Sequence, residues 1–325
     1  MVKQEVILGD CMQIMSEMDP KSIDVVVCSP PYNLGKDYKT YEDKLPRQEY
    51  LEWTSKWMQL VKQVLKDDGS FFLNIGFTNK DPWLGMDVAT VAREIFVLQN
   101  NIAWIKSLFI DGKTFGHFKP VQGGRFINNT FEHIFHFTKD GNVKVNRLGI
   151  GVPYNDKLNA ERWNNEGGIR CRGNCWFIPY ETIIREAETG VSEAEVEKSW
   201  LTVSEAAEKA KVNKAIITMA ANAGRLINNG KKRRERRIDP VDLARWMEER
   251  FAPKNADHPA IFPWKLPEMC IKLHGLKEDM VILDPFLGWG NTLIASKKLG
   301  VNGIGIDVDK EYVKEAKSQI NSIHI

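Results

Sequence analysis

A chain of 325 residues in which 43% of positions are hydrophobic and 27% charged is long enough to bury a full α/β core and still carry a second lobe. No apolar run is long enough to span a membrane, and the N-terminus lacks a basic start followed by an apolar run, so a cytoplasmic protein with no membrane partner is expected. The net charge is only +2, so attraction to a polyanion must come from local clustering; five scattered cysteines suit a reducing compartment.

In chain order, Glu5 to Leu8 reads as a strand leading to Gly9-Asp10. The apolar run Asp24-Val25-Val26-Val27-Cys28 reads as a buried strand, and Ser29-Pro30-Pro31-Tyr32 follows it directly. Two consecutive prolines fix their own backbone and restrict the residue before them, so the serine hydroxyl and the carbonyls beside it point in set directions before any ligand arrives. Acceptors next to a flat aromatic face suit chemistry on the exocyclic amine of an extruded nucleobase, although a Pro-Pro turn closing an ordinary strand has the same residues. Tyr50, Trp53, Trp57, Leu60, Val61 and Val64 recur at helical spacing and read as core packing, and Val88 to Leu98 is expected to form a second amphipathic helix. Further strands are expected at Ser70 to Ile75, Asn101 to Lys106 and Glu132 to Thr138, with His133 and His136 as packing or pocket-edge residues. Strands alternating with helices predict a doubly wound, mostly parallel sheet.

Gly167, Gly168, Arg170, Arg172 and Gly173 form either a DNA-facing loop or a plain surface turn. Cys171 and Cys175 have no second pair at zinc-site spacing, so no metal is expected. From Ser199 to Phe251 the chain becomes charge-rich and helical. Thr202-Val203-Ser204-Glu205 is a capping box opening a short helix; a turn around Lys211-Val212-Asn213 leads to a second helix running to about Gly224. Asn229-Gly230 marks a tight turn, Lys231 to Arg237 carries a local charge of +5, and Asp239-Pro240 caps a last helix ending near Arg250. This order resembles the small winged helix-turn-helix modules of excisionases. The resemblance makes Lys214, Arg225, Lys232, Arg233, Arg234, Arg236 and Arg237 candidates for DNA contact, against the plain alternative of a solvated helical insertion.

Toward the C-terminus, Val281 to Asp284 is a short apolar strand, Pro285-Phe286-Leu287-Gly288-Trp289-Gly290 a glycine loop, and Asn291 to Leu299 a helix. The next strand, Gly303 to Asp307, ends in a carboxylate placed to hold two ribose hydroxyls. A dinucleotide site would want a further glycine three residues after Gly290, where Leu293 stands, so a nucleoside cofactor fits better than a dinucleotide.

In these motifs the chain resembles the amino-methylating DNA methyltransferases of the β arrangement, in which the catalytic loop precedes the cofactor loop. The resemblance covers roughly the first 140 residues and the last 70. It implies a methyltransferase fold of permuted order, its C-terminal strands belonging ahead of the N-terminal ones, and S-adenosyl-L-methionine as cofactor. It implies binding of that cofactor by Asp10, Asp284, Phe286, Gly288, Gly290, Thr292 and Asp307, and catalysis by Ser29, Pro30, Pro31 and Tyr32 on a flipped base. Asn129 to Thr138 resembles the late strand bordering the base pocket, and His258-Pro259, Phe262-Pro263 and Leu266-Pro267-Glu268 the segment leading into the cofactor site. The implied organisation is a catalytic half over residues 1–140, a target-recognition region over 141–257 containing the insertion 199–251, and a cofactor-binding half over 258–325. Double-stranded DNA is the implied partner, with a homodimer and a cognate restriction endonuclease left open. A serine at the head of the catalytic loop resembles the cytosine-N4 branch; adenine-N6 methylation is the alternative, and a DNA-binding regulator with an inactive fold is the alternative of another class.

Overall fold

The computed structural model describes residues 2–34, 43–110, 113–116, 124–154, 168–179, 201–222, 236–238, 243 and 262–323. Its main element is an eight-stranded sheet. Strands β1 (Gln4–Leu8), β2 (Ile23–Cys28), β3 (Leu65–Ile75) and β4 (Val97–Ile105) are followed by a hairpin of β5 (Ser107–Ile110) and β6 (Lys113–Gly116), then by β7 (Phe131–Thr138). The ribbon β8 (Val152–Pro153) with β9 (Ile169–Arg170) precedes β10 (Cys175–Phe177); β11 (Leu201–Thr202) pairs with β12 (Arg237–Ile238), and β13 (Val281–Asp284) and β14 (Asn302–Asp307) come last. The main sheet runs β1-β14-β13-β2-β3-β7-β4-β10. β7 is antiparallel to both its neighbours and every other pairing is parallel. The doubly wound, mostly parallel α/β fold read from the sequence is the fold observed.

Helices cover both faces: α1 (Cys11–Glu17), α2 (Arg47–Val64) and α3 (Leu84–Arg93) come early in the chain, and α4 (Val203–Lys209), α5 (Lys214–Asn222), α6 (Lys265–His274), α7 (Asn291–Lys298) and α8 (Lys310–Ser322) follow. The period of two along β2 sorts the core. Val26 and Cys28 pack with Tyr50, Trp57, Met58 and Val61 of α2 and Val88 and Ala92 of α3. Val25 and Val27 pack on the other face with Leu266, Met269, Cys270 and Ile271 of α6. With helices on both faces every residue of β2 is buried, which is why this strand reads as an unbroken apolar run. Burying each such large side chain contributes ~1.5–3 kcal/mol.

One expectation is corrected. The helix expected over 88–98 ends at Arg93, and β4 begins at Val97, four residues before the strand expected from Asn101. The permuted order is observed: β14 and β13 fill the slot between β1 and β2. If the chain is counted from β13, the sheet runs third, second, first, fourth, fifth, and the order reverses between β13 and β2. The chain forms two compact units, one comprising Met1–Tyr180 with His258–Ile325 and the other Glu181–Asp257; β10, from the stretch 141–257, pairs with β4 in the main sheet.

The second unit has its own small core of Ala206, Ala207, Ala210, Ile217, Ala221, Ile238 and Leu243. The capping box forms as read: the Thr202 hydroxyl accepts from the Glu205 N–H at 3.2 Å, and the Glu205 carboxylate accepts from the Thr202 N–H at 2.7 Å. Lys211 takes a left-handed turn conformation (φ 51°) between α4 and α5. Lys214 is exposed at the start of α5, and Arg237 pairs with Thr202 in the β11–β12 ribbon. Arg225, Lys232, Arg233 and Arg234 lie outside the described residues.

Candidate functional site

In an open α/β sheet, ligands collect beyond the carboxyl ends of the strands at the point where strand order reverses. Here that point lies between β13 and β2, registered by Leu283 opposite Val26. The two chemistry-bearing loops, Ser29 to Tyr32 after β2 and Pro285 to Gly290 after β13, therefore leave the sheet side by side.

The glycine loop is shaped from below. Asp284 is fully buried; its carboxylate accepts from the Phe286 N–H at 3.0 Å and from the Thr292 hydroxyl at 2.5 Å, and burial pushes its pKa up to about 7. Gly288 and Gly290 stand at φ 54° and 92°, where a side chain is strained. Leu287 donates to the Ile306 carbonyl at 2.9 Å, and Asp307 accepts from the Gly288 N–H at 2.7 Å and the Asp309 N–H at 2.8 Å. Burial raises the Asp307 pKa above the usual carboxylate range, against the pull of those N–H donors. Leu8 registers opposite Asp307, and Asp10, capping α1, accepts from Met12 and Gln13 with one oxygen. Phe286 packs against Trp53 and Trp57, with ring centroids 5.7 and 5.1 Å away. Asp10, Phe286, Gly288, Gly290 and Asp307 thus gather at one edge. Asp284 and Thr292 have no exposed surface, so they act on any ligand through the loop they shape.

The Ser-Pro-Pro-Tyr loop is equally fixed. The Tyr50 hydroxyl donates to the Pro31 carbonyl at 2.9 Å. Buried Asp43 accepts from the Asn33 and Leu34 N–H groups at 2.7 and 3.0 Å, and the Asn33 side chain bonds both backbone groups of Leu45. Tyr32 is only 9% exposed. Its hydroxyl lies 2.7 Å from the Ser29 Oγ, 3.2 Å from the Asn74 Oδ1 and 3.2 Å from the Glu132 Oε2. Asn74 donates to Glu132 at 3.1 Å, and Lys106 donates to Glu132 at 2.7 Å. Gly76 makes room for this cluster, since a Cβ there would stand 2.8 Å from the Tyr32 ring and 3.0 Å from the Glu132 carboxyl carbon. Asn74, Gly76 and Lys106 were not singled out as site residues from the sequence, and Glu132 only as part of a bordering strand.

The donor count orients the protons. A phenol has one proton, and Asn74 Oδ1 and Glu132 Oε2 only accept. When the tyrosine proton points to either of them, the Ser29 hydroxyl must donate to Tyr32 and keeps its lone pairs as acceptors.

His136 is buried away from this edge, stacked on Phe72 and bonded to Ser70 and Asn100. His133 is half-buried among Phe77, Phe131 and Phe135. Both are packing residues, as read. Cys171 and Cys175 are exposed free thiols.

Residues 23–318 match the DNA methylase family of N6 and N4 methyltransferases. The chain belongs to that family. It is 27% identical over 319 residues to the type II methyltransferase M1.MboII of Moraxella bovis, covering 97% of this chain and 96% of that one, and 24% identical over 321 residues to the type II methyltransferase M.HpaI of Haemophilus parainfluenzae, covering 98% and 74%. Among solved structures, the fold is similar to the cytosine-N4-specific PvuII DNA methyltransferase, with a TM-score of 0.58 at 17% identity over 99% of this chain and 88% of that one. It is also similar to M1.HpyAVI in complex with S-adenosylmethionine, with a TM-score of 0.50 at 16% identity over 98% and 100%. The protein is a DNA methyltransferase of the N6/N4 class and uses S-adenosyl-L-methionine. Among the described residues, no helix is long and apolar enough to cross a membrane.

Proposed function

We propose that this DNA methyltransferase methylates the N4 amine of cytosine at a specific site in duplex DNA. The observation that carries the choice of amine chemistry is the adjacency of the two loops at the reversal between β13 and β2. The choice of cytosine rests on serine at position 29. The residue set fits the cofactor: the Asp307 carboxylate ends its strand beside the glycine loop, Asp10 keeps one oxygen for a further donor, Gly288 carries no side chain, and Gly290 lets the loop close against Ala316 of α8. Asp10, Phe286, Gly288, Gly290 and Asp307 would hold S-adenosylmethionine, which supplies a methyl group on a sulfonium centre.

The chain's own residues do the rest. An aromatic amine is a poor nucleophile because its lone pair is delocalised into the ring; Ser29 Oγ and the Pro30 carbonyl hold its hydrogens and draw the nitrogen toward tetrahedral geometry. Loops fixed before binding supply positioning, the larger part of the acceleration for an in-line displacement. The target base must leave the duplex to reach this edge. Sequence reading is assigned to the second unit, whose capped helix, turn and second helix support a helix-turn-helix role, with the basic run before β12 on phosphates. The type II names of the relatives make a cognate restriction endonuclease the natural partner.

The test is nucleoside analysis of DNA from cells producing the protein. N4-methylcytosine is expected, and its loss in Ser29→Ala with cofactor affinity intact; N6-methyladenine would move the reading to the adenine branch.

A further inference from the structure

We infer that Glu132 is the terminal proton acceptor of the reaction, reached from the target amine through Ser29 and Tyr32. The inference rests on the reading of this chain as an amine methyltransferase, and holds for cytosine or adenine alike.

When the amine nitrogen attacks, its lone pair forms the N–C bond, the C–S bond breaks, and that electron pair returns to sulfur, cancelling the sulfonium charge. The nitrogen is then cationic and must release a proton. Three oxygens stand in line to take it: Ser29 Oγ, the Tyr32 hydroxyl 2.7 Å away, and Glu132 Oε2 a further 3.2 Å on. With Ser29 donating to Tyr32 and Tyr32 to the carboxylate, each hydroxyl hydrogen points inward before the reaction starts. Ser29 accepts the amine proton as its own passes to Tyr32, and the tyrosine's passes to the carboxylate; the positive charge that leaves sulfur ends as a neutral glutamic acid. Both hydroxyls finish intact.

The surroundings suit a base. Lys106 on one oxygen and the Asn74 amide on the other fix the rotamer of the carboxylate with charge-assisted bonds. The side chains of Lys106 and Glu132 are only 21% and 16% exposed, so the pair is shielded from bulk screening. Charged and titratable groups facing Glu132 are Lys106, Tyr32 and, next along β7, His133, whose pKa burial lowers. Gly76 is the cost of the arrangement: any side chain there would separate Tyr32 from Glu132.

The test measures single-turnover methyl transfer from labelled cofactor to unmodified genomic DNA, in H₂O and D₂O. Glu132→Gln keeps the shape but takes no proton, and Tyr32→Phe keeps the ring but cuts the line. Each should slow transfer about 10²–10⁴-fold, the usual worth of a positioned base, with cofactor and DNA affinities unchanged. The double variant should be no slower than either alone, and the solvent isotope effect of the unaltered chain should vanish. Wild-type rates in either folded variant, or multiplicative losses in the double, would overturn the relay while leaving the methyltransferase reading in place. No transfer by the unaltered chain would overturn both.

Discussion

Asp284 and Thr292 meet at 2.5 Å across the base of the glycine loop, and neither has exposed surface. Their bond closes the turn that carries Gly288 and Gly290. Thr292→Val leaves a buried carboxyl oxygen without its donor, a cost of about 1–3 kcal/mol. Urea unfolding should show that loss, and calorimetry a weaker hold on S-adenosylmethionine; Thr292→Ser should restore both. Full cofactor affinity in Thr292→Val would separate this bond from the loop's function.

Gly288 donates its N–H to Asp307 from a left-handed backbone. Gly288→Arg puts a long side chain where the cofactor must approach and should abolish binding in a protein that keeps its circular dichroism spectrum. Unchanged affinity by calorimetry would take the loop out of the cofactor site.

His136 and His274 share the buried hydroxyl of Ser70. Burial lowers their pKa values to about 3 and about 4, from an ordinary 6.5. Between pH 6.5 and about 4 the unfolded chain therefore binds protons that the folded chain refuses, and stability falls as pH falls. Each histidine adds about 1.4 kcal/mol per pH unit to that slope. His136→Gln should make the slope shallower by this amount in urea titrations run from pH 6.5 to 4.5. An identical slope would mean that His136 is protonated in the fold.

For the second unit, alanine at Lys232, Arg233, Arg234 and Arg236 should weaken DNA affinity and reduce the salt slope by about 0.9 for each phosphate deprived of its cation. Cofactor affinity should stay as it was. Changes along Lys214 to Thr218 should instead relax sequence preference, because side chains in the groove specify and phosphate contacts position. A salt slope untouched by the four alanines would leave this segment a passive insertion.

What the sequence made legible follows from where information is local. β2, β13 and β14 are apolar runs ended by prolines, glycines or an acid, and α2 repeats its aromatics at helical spacing, so each announces itself within a few residues. The start of β4 does not: Val97 and Leu98 are 44% and 45% exposed and continue the apolar rhythm of the helix before them. The Ser29 to Glu132 line was hidden for another reason. Asn74 comes from β3, Lys106 follows β4, and Glu132 belongs to β7; they meet because Trp104 pairs with Glu132 and Asn74 with Ile134. Strand register is a property of the folded sheet, and no local motif encodes it.

The slot between β1 and β2 has a consequence for how this enzyme comes into being. Gln4 pairs with Gly303 and Val25 with Ile282, so the earliest strands wait for the latest. Such long-range pairings close slowly, since the chain gives up its loop entropy before the pairing rewards it. Until β13 and β14 dock, the Ser29 loop is exposed beside an empty groove with no methyl donor next to it. A chain in which β13 and β14 have not docked therefore holds the Ser29 loop without the glycine loop beside it.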